Sequence, residues 1–313
     1  MSQLIKKPEL LATAGSIEEM NLLIDAGADA INMGTLKFGM RLQGDLQPNE
    51  MFEAIHQAHS KQAKVYVVMN NIMNNRILSE MPNYLTGLAK AGADAIVFGD
   101  PAILISMKQA GIRLPLHWNG EMTSTNYVSA EYWARQGAVR VIAARELNME
   151  QVVEMKRKLA IEVQVQVHGI TNIFHSKRRM VSNYRQHQGR DFSETDQALD
   201  KGLFIIEAER KDEKFPVYED VNGTHIMSSE DICMLENLDE LMSVQMDSFK
   251  VEGLLKSLEY NKAVVQVYRQ VIDTYAMNPE DYHYNAQWLA PVECLQPKDR
   301  PFSFGFYFKE QVY

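Results

Sequence analysis

The chain has 313 residues, enough for one large domain or two small ones, and its 46% hydrophobic and 23% charged composition is that of an ordinary globular protein. A net charge of -9 argues against autonomous nucleic-acid binding, because neutralising phosphate dominates that affinity, although a local basic patch is compatible with it. No apolar run approaches the roughly 18 residues of a membrane span, and MSQLIKKPELLATAG lacks an apolar stretch of signal-peptide length, so the expectation is a cytoplasmic protein with no membrane contact.

Short apolar runs alternate with amphipathic helices along most of the chain. The runs are Glu9–Ala14, Ala28–Met33, Lys64–Met69, Ala93–Phe98, Leu114–Trp118, Val139–Ala143, Glu162–Val167 and Ser248–Val251. Segments such as IEEMNLLIDAG and MEQVVEMKRKLA repeat apolar residues at helical spacing, and the phrases DAGADAINMG and KAGADAIVFG stop a helix on glycine just before a strand. Strands alternating with helices pair in parallel through right-handed crossovers. Eight such units predict an α/β fold, a (β/α)8 TIM-type barrel. A doubly wound sheet is the alternative, but only AGS at 14–16 stands where its Gly-rich fingerprint would be.

The rhythm breaks between the seventh and eighth runs, where about 169–247 is too long for a simple connection. FPVYEDVNGTHIMSS predicts a β-hairpin turning at Asn222-Gly223, followed by a helix over 231–242. The expected organisation is a barrel over 1–278 carrying this insert before its last strand. A tail over 279–313, including the strand-like FSFGFYF, would pack on the barrel or a partner. Tyr260, Tyr268 and Tyr275 fall near helical spacing and read as packing. Cys233 and Cys294 are the only cysteines and form neither a disulfide framework nor a CxxC metal site.

Alternation on the seventh strand points Val163, Val165 and Val167 outward and Gln164, Gln166 and His168 inward; on the eighth, Lys250 and Glu252 face in. Inward residues near the C-terminal end reach the face where such barrels bind ligands. Buried charge is costly unless paired, so Lys250 and Glu252 need partners or a ligand. Asn70, Asn71, His117, Arg145 and Glu146 are expected at the same rim. His175 with Lys177, Arg178 and Arg179 forms a basic loop after the seventh strand, suited to an anion.

At these residues the chain resembles the collagenase-like peptidase family U32, over about Leu10 to Pro279. ELLATAGS resembles the family's ELLAPAGS, AARELN its ARELS, and DSFKVEGLLKS its DSFKIEGRMKS. The run from His168 to Tyr184 follows a signature of the form VHGALCVAYSGRCLLSNY. Two signature cysteines are replaced here by Asn172 and Arg179, the signature's glycine by Lys177 and the arginine of the last motif by Leu254. The family's downstream cysteine pair has no counterpart around 192–204. In relatives those four thiolates are thought to hold an iron–sulfur cluster, so the resemblance implies a member that cannot build one.

Family members have been described as collagenolytic proteases, as participants in hydroxylation of the tRNA wobble uridine with prephenate as a candidate oxygen source, and as paired subunits in ubiquinone hydroxylation. The resemblance therefore implies tRNA wobble-uridine 5-hydroxylation, with this chain as a cluster-free companion of a cysteine-bearing paralogue, in a homo- or hetero-oligomer that meets tRNA through its partner. His168 is the expected acid/base or ligand contact, with Lys250 and Glu252 orienting a ligand. Gln164, Gln166, His117, Asn70, Arg145, His175, Lys177, Arg178 and Arg179 are expected to bind substrate. No cofactor is expected; a divalent metal would draw on His117, His168 and Glu252. The alternatives are a peptidase, metal-assisted or not, for which no Ser-His-Asp, HExxH or nucleophile-elbow phrase is present, and a non-catalytic binding scaffold.

Overall fold

The computed structural model describes residues 6–189 and 194–310. Eight parallel strands close a barrel: β1 (Glu9–Thr13), β2 (Ala30–Gly34), β3 (Lys64–Met69), β4 (Ala95–Phe98), β5 (Leu116–Trp118), β6 (Ala138–Ile142), β7 (Glu162–Gly169) and β13 (Ser248–Glu252). β13 pairs with both β7 and β1, which joins the ends of the sheet. The two faces of each strand explain the closure. Outward residues such as Leu10, Ile31, Val65 and Phe249 pack on Met20, Leu23, Ile55, Leu88 and Tyr268 of the surrounding helices. Inward residues form a smaller core of Leu11, Ala30, Tyr66, Val68, Ala95 and Val97, small enough to fit inside eight strands. The helices start and stop on local chemistry. Ser16 accepts from the Glu19 amide at 3.1 Å, Asn148 and Gln151 form a capping box, and Gly92 ends Met81–Ala91 in the left-handed region.

The N-terminal end of the barrel is sealed by charge. Arg140, inward on β6, donates to Glu9 at 2.6 Å and to Glu162 at 2.6 Å, while Tyr66 donates to Glu9 at 2.5 Å. This buried network lies opposite the ligand face, and its pairing offsets the cost of desolvating Arg140.

The insert forms a second sheet from β8 (Asn172–Ser176), β9 (Phe204–Ile205), β10 (Phe215–Asp220) and β11 (Gly223–Met227), in the order β8-β11-β10-β9. Asp220 pairs with Gly223, so Val221 and Asn222 form the hairpin turn, one residue earlier than the sequence suggests. The segment predicted as a helix over 231–242 begins instead as a strand, β12 (Asp231–Cys233), which lies antiparallel to β7; the helix is confined to Leu238–Ser243. β12 takes the edge of β7 beyond the point where β6 ends, and β14 (Phe302–Ser303) pairs with it in turn. Tyr307 then donates to the Gln166 carbonyl at 2.8 Å, placing the tail against the barrel rim. Of FSFGFYF, only Phe302–Ser303 is strand. The long helix Leu258–Met277 buries Tyr260, Val264, Tyr268 and Ile272 against the barrel. Among the described residues no helix is long and apolar enough to cross a membrane.

Candidate functional site

The C-terminal ends of the strands open into a cavity of about 970 Å³, counted out to solvent. Its floor is apolar, from Val68, Val97 and Ile142, and its walls are polar. Alternation delivers Thr13, Asn32, Asn70, Gln166, Lys250 and Glu252 from the strand ends. Lys250 and Glu252 pair at 2.7 Å, and Glu252 also accepts from Thr13 and from the Leu254 amide, each at 3.2 Å. Gln166 donates to the carbonyls of His168, Gly169 and Ile170 at 3.0–3.3 Å, holding the chain as it leaves β7. Gly169 has φ +95°, and a Cβ there would lie 2.0 Å from the Glu252 carbonyl oxygen, so this close exit requires glycine.

The loop after β2 folds over this mouth and contributes Arg41, which sequence reasoning missed. Gly44 permits the fold: a Cβ there would sit 2.0 Å from the Gly15 carbonyl oxygen. Arg41 adopts φ +56°, a strained conformation for a side-chain-bearing residue. Its side chain is 9% exposed, and one terminal nitrogen pairs with Glu121. The other, Nη1, is buried without a protein hydrogen-bond partner. Burial lowers its pKa to about 10, so the guanidinium remains charged at neutral pH. Arg145 is held in the same cavity, its pKa lowered by burial, 3.6 Å from Glu146. Asn32 Oδ1, Gln43 Oε1 and Asn172 Oδ1, on residues that line the cavity, are likewise buried without protein partners. A cation with an unmatched donor, ringed by unmatched acceptors, is an arrangement that a small anion bearing hydroxyl or amide hydrogens would satisfy. Only the two cations, Lys37 and Arg41, set among the glycines of GTLKFGMRLQG could have flagged this loop.

The insert roofs the mouth through its hairpin turn. Asn222 donates to the carbonyls of Leu36 and Gly39 at 3.0 and 3.1 Å and accepts from Asn71 at 2.7 Å. Its own carbonyl accepts from His175 Nε2 at 3.0 Å. Glu219 accepts from the amides of Val181 and Ser182 and from the Ser182 hydroxyl, fixing the helix Met180–His187 beside the hairpin.

Of the expected site residues, Asn70, Arg145, Gln166, Lys250 and Glu252 line the cavity together. His168 does not. A bulge in β7, where Gln166 pairs with Lys250 but His168 with Val251, turns its ring outward between Tyr260, Tyr268 and Phe302. There it is fully buried, 2.9 Å from the Tyr260 hydroxyl, and burial lowers its pKa to about 3. His117 and Gln164 belong to the lower interior instead: His117 packs edge-on to Tyr66, and Gln164 accepts from Arg140 at 3.5 Å. His175, Lys177, Arg178 and Arg179 stand on the insert, outside the cavity lining; Lys177 reaches the Ile72 carbonyl at 2.6 Å. The trio His117, His168 and Glu252 is therefore dispersed over three layers. Among the described residues no group of three or more His, Cys, Asp or Glu is placed to hold a metal. A four-thiolate cluster does not fit either. Cys233 is buried in β12, where burial pushes its thiol up to about 11, Cys294 is exposed, and neither lines the mouth.

Comparison with known proteins places this geometry. The family description "Peptidase family U32" matches residues 15–312. The chain is 43% identical to "tRNA hydroxylation protein P2" of Bacillus subtilis (strain 168), over 99% of this chain and 100% of that protein. It is 29% identical to "tRNA hydroxylation protein P1" of the same organism, over 96% of this chain and 71% of that protein. Among solved structures, "The Structure of the U32 Peptidase Mk0906" superposes with a TM-score of 0.50 at 14% identity, covering 80% of this chain and 96% of that one; this likeness concerns the fold alone.

Proposed function

The chain belongs to peptidase family U32, and from that premise we propose that it serves tRNA hydroxylation in the cytoplasm, at the wobble uridine, as the cluster-free companion of a cysteine-bearing paralogue. Full-length similarity to a tRNA hydroxylation protein carries the reading. The barrel mouth supports it by offering a site for a small anionic ligand, with Arg41, Arg145 and Lys250 supplying charge and the wall amides supplying hydrogen bonds. The companion role is supported by the donor set, since a cluster needs thiolates that this chain does not bring together. Hydrolysis has less support: no Ser, Cys or His lies among the lining residues of the mouth. A purely structural scaffold leaves the unmatched, buried Arg41 nitrogen unexplained.

Deleting the gene in its host and analysing total tRNA nucleosides by mass spectrometry tests this reading. Loss or strong depletion of 5-hydroxyuridine derivatives is expected; unchanged nucleosides would overturn it.

A further inference from the structure

Residues 163–189 hold four Lys or Arg and no Asp or Glu, in a chain of net charge -9. The structure gathers the cations and several exposed apolar side chains on one continuous segment, β8 and the helix Met180–His187. Phe174 is 43% exposed and Tyr184 61% exposed, with Ile173 and Met180 also turned to solvent. Among the described residues no carboxylate pairs with Lys177, Arg178 or Arg185. Elsewhere in the insert Lys201, Arg210 and Lys214 are each tied to carboxylates. The segment is also rigidly mounted. Glu219 caps the helix, and Lys177 and Asn222 fasten the insert to the barrel loops. β8 begins at Asn172, which lines the mouth, so the face runs outward from the cavity rim.

We propose that this face binds the single-stranded loop of an RNA, its cations on phosphates and its exposed aromatics against unstacked bases. Lys177, Arg178 and Arg185, without carboxylate partners among the described residues and interleaved with exposed aromatic rings, suit single strands, where stacking supplies sequence-tolerant contact and charge tracks the backbone. The helix N-terminus is occupied by Glu219, so phosphates meet side chains and not backbone amides. The inference rests on the tRNA reading above and adds to it that this chain touches the RNA itself.

The test uses the purified full chain and a synthetic anticodon stem-loop carrying 4-thiouridine at the wobble position. Ultraviolet crosslinking of the unaltered chain is expected to map to peptides spanning 173–188. Arg178→Glu/Arg185→Glu is expected to weaken stem-loop binding at least ~10-fold at moderate salt, and Phe174→Ala/Tyr184→Ala several-fold, with thermal unfolding unchanged. The control Lys90→Glu/Lys108→Glu, on outer helices, leaves binding intact. Crosslinks elsewhere, or full binding by the charge-reversed chain, would overturn the proposal. Loss of capture of the co-expressed paralogue with RNA crosslinks unaltered would overturn it too, and make the face a protein interface. Complementation of the deletion strain separates the two readings. If the unaltered gene and the charge-reversed gene restore 5-hydroxyuridine equally, the docking face falls and the tRNA reading stands. If deletion changes no nucleoside, the tRNA reading falls, and the docking face is then decided by the crosslinks alone.

Discussion

His117 and His168 are buried in different layers of the fold, one inside the barrel and one beneath the long helix, and burial lowers the pKa of each to about 3. The sign of the consequence follows from the unfolded value of 6.5. Between 6.5 and 3 the unfolded chain takes up protons that the folded chain refuses, so stability is full above pH 6.5 and falls as the pH drops. Each histidine is expected to remove about 1.4 kcal/mol per pH unit, or about 2 kcal/mol between pH 6.5 and 5. Glu9 does not contribute in that window. Burial alone would raise its pKa, but Arg140 more than offsets this and holds it below 4.5. Urea unfolding at pH 7 and pH 5 should therefore show a smaller loss for His168→Leu than for the unaltered chain; an equal loss would contradict the burial argument. His168 also shows what alternation cannot foresee. Its polarity on β7 was legible, but the extra residue of the bulge leaves no mark in VQVQVHG, and the period-2 extrapolation fails one residue beyond it.

The hairpin β10–β11 was legible as an element because Asn222-Gly223 sits between alternating strands. What it docks onto was not, since Asn222 reaches loops that precede it by more than a hundred residues. Asn222→Ala would strand the carbonyls of Leu36 and Gly39 and the amide of Asn71, a cost of about 1–3 kcal/mol. Hydrogen exchange should then quicken in the hairpin and in 35–40, while the outer helices remain protected. Unchanged exchange in 35–40 would refute the clamp. Arg41 escaped notice for a related reason: it lies in an irregular loop, where no periodicity assigns a face, and its strained backbone is a tertiary consequence.

At the level of the molecule, the barrel was readable from eight repeats of one pattern, because strand and helix periods are written locally. The attachment of the tail was not readable, because it depends on Asp231. This fully buried carboxylate binds Lys256 at 2.5 Å, Arg300 at 2.7 Å and Gln296 at 2.8 Å, joining the insert, the end of the barrel and the tail. Removing one member of such a group leaves buried charge unmatched. Asp231→Ala is thus expected to cost about 3–5 kcal/mol in urea unfolding and to expose the tail to proteolysis at Lys298. A variant as stable and as protected as the unaltered chain would contradict that assignment. The proposed function itself is centred on the barrel mouth and on Arg41 within it. The most direct measurement is to complement the deletion strain with Arg41→Met and quantify tRNA 5-hydroxyuridine by mass spectrometry, having first verified that the purified variant folds and melts normally. 5-Hydroxyuridine is expected to stay as low as in the uncomplemented deletion; restoration to the level given by the unaltered gene would rule out a ligand role for Arg41.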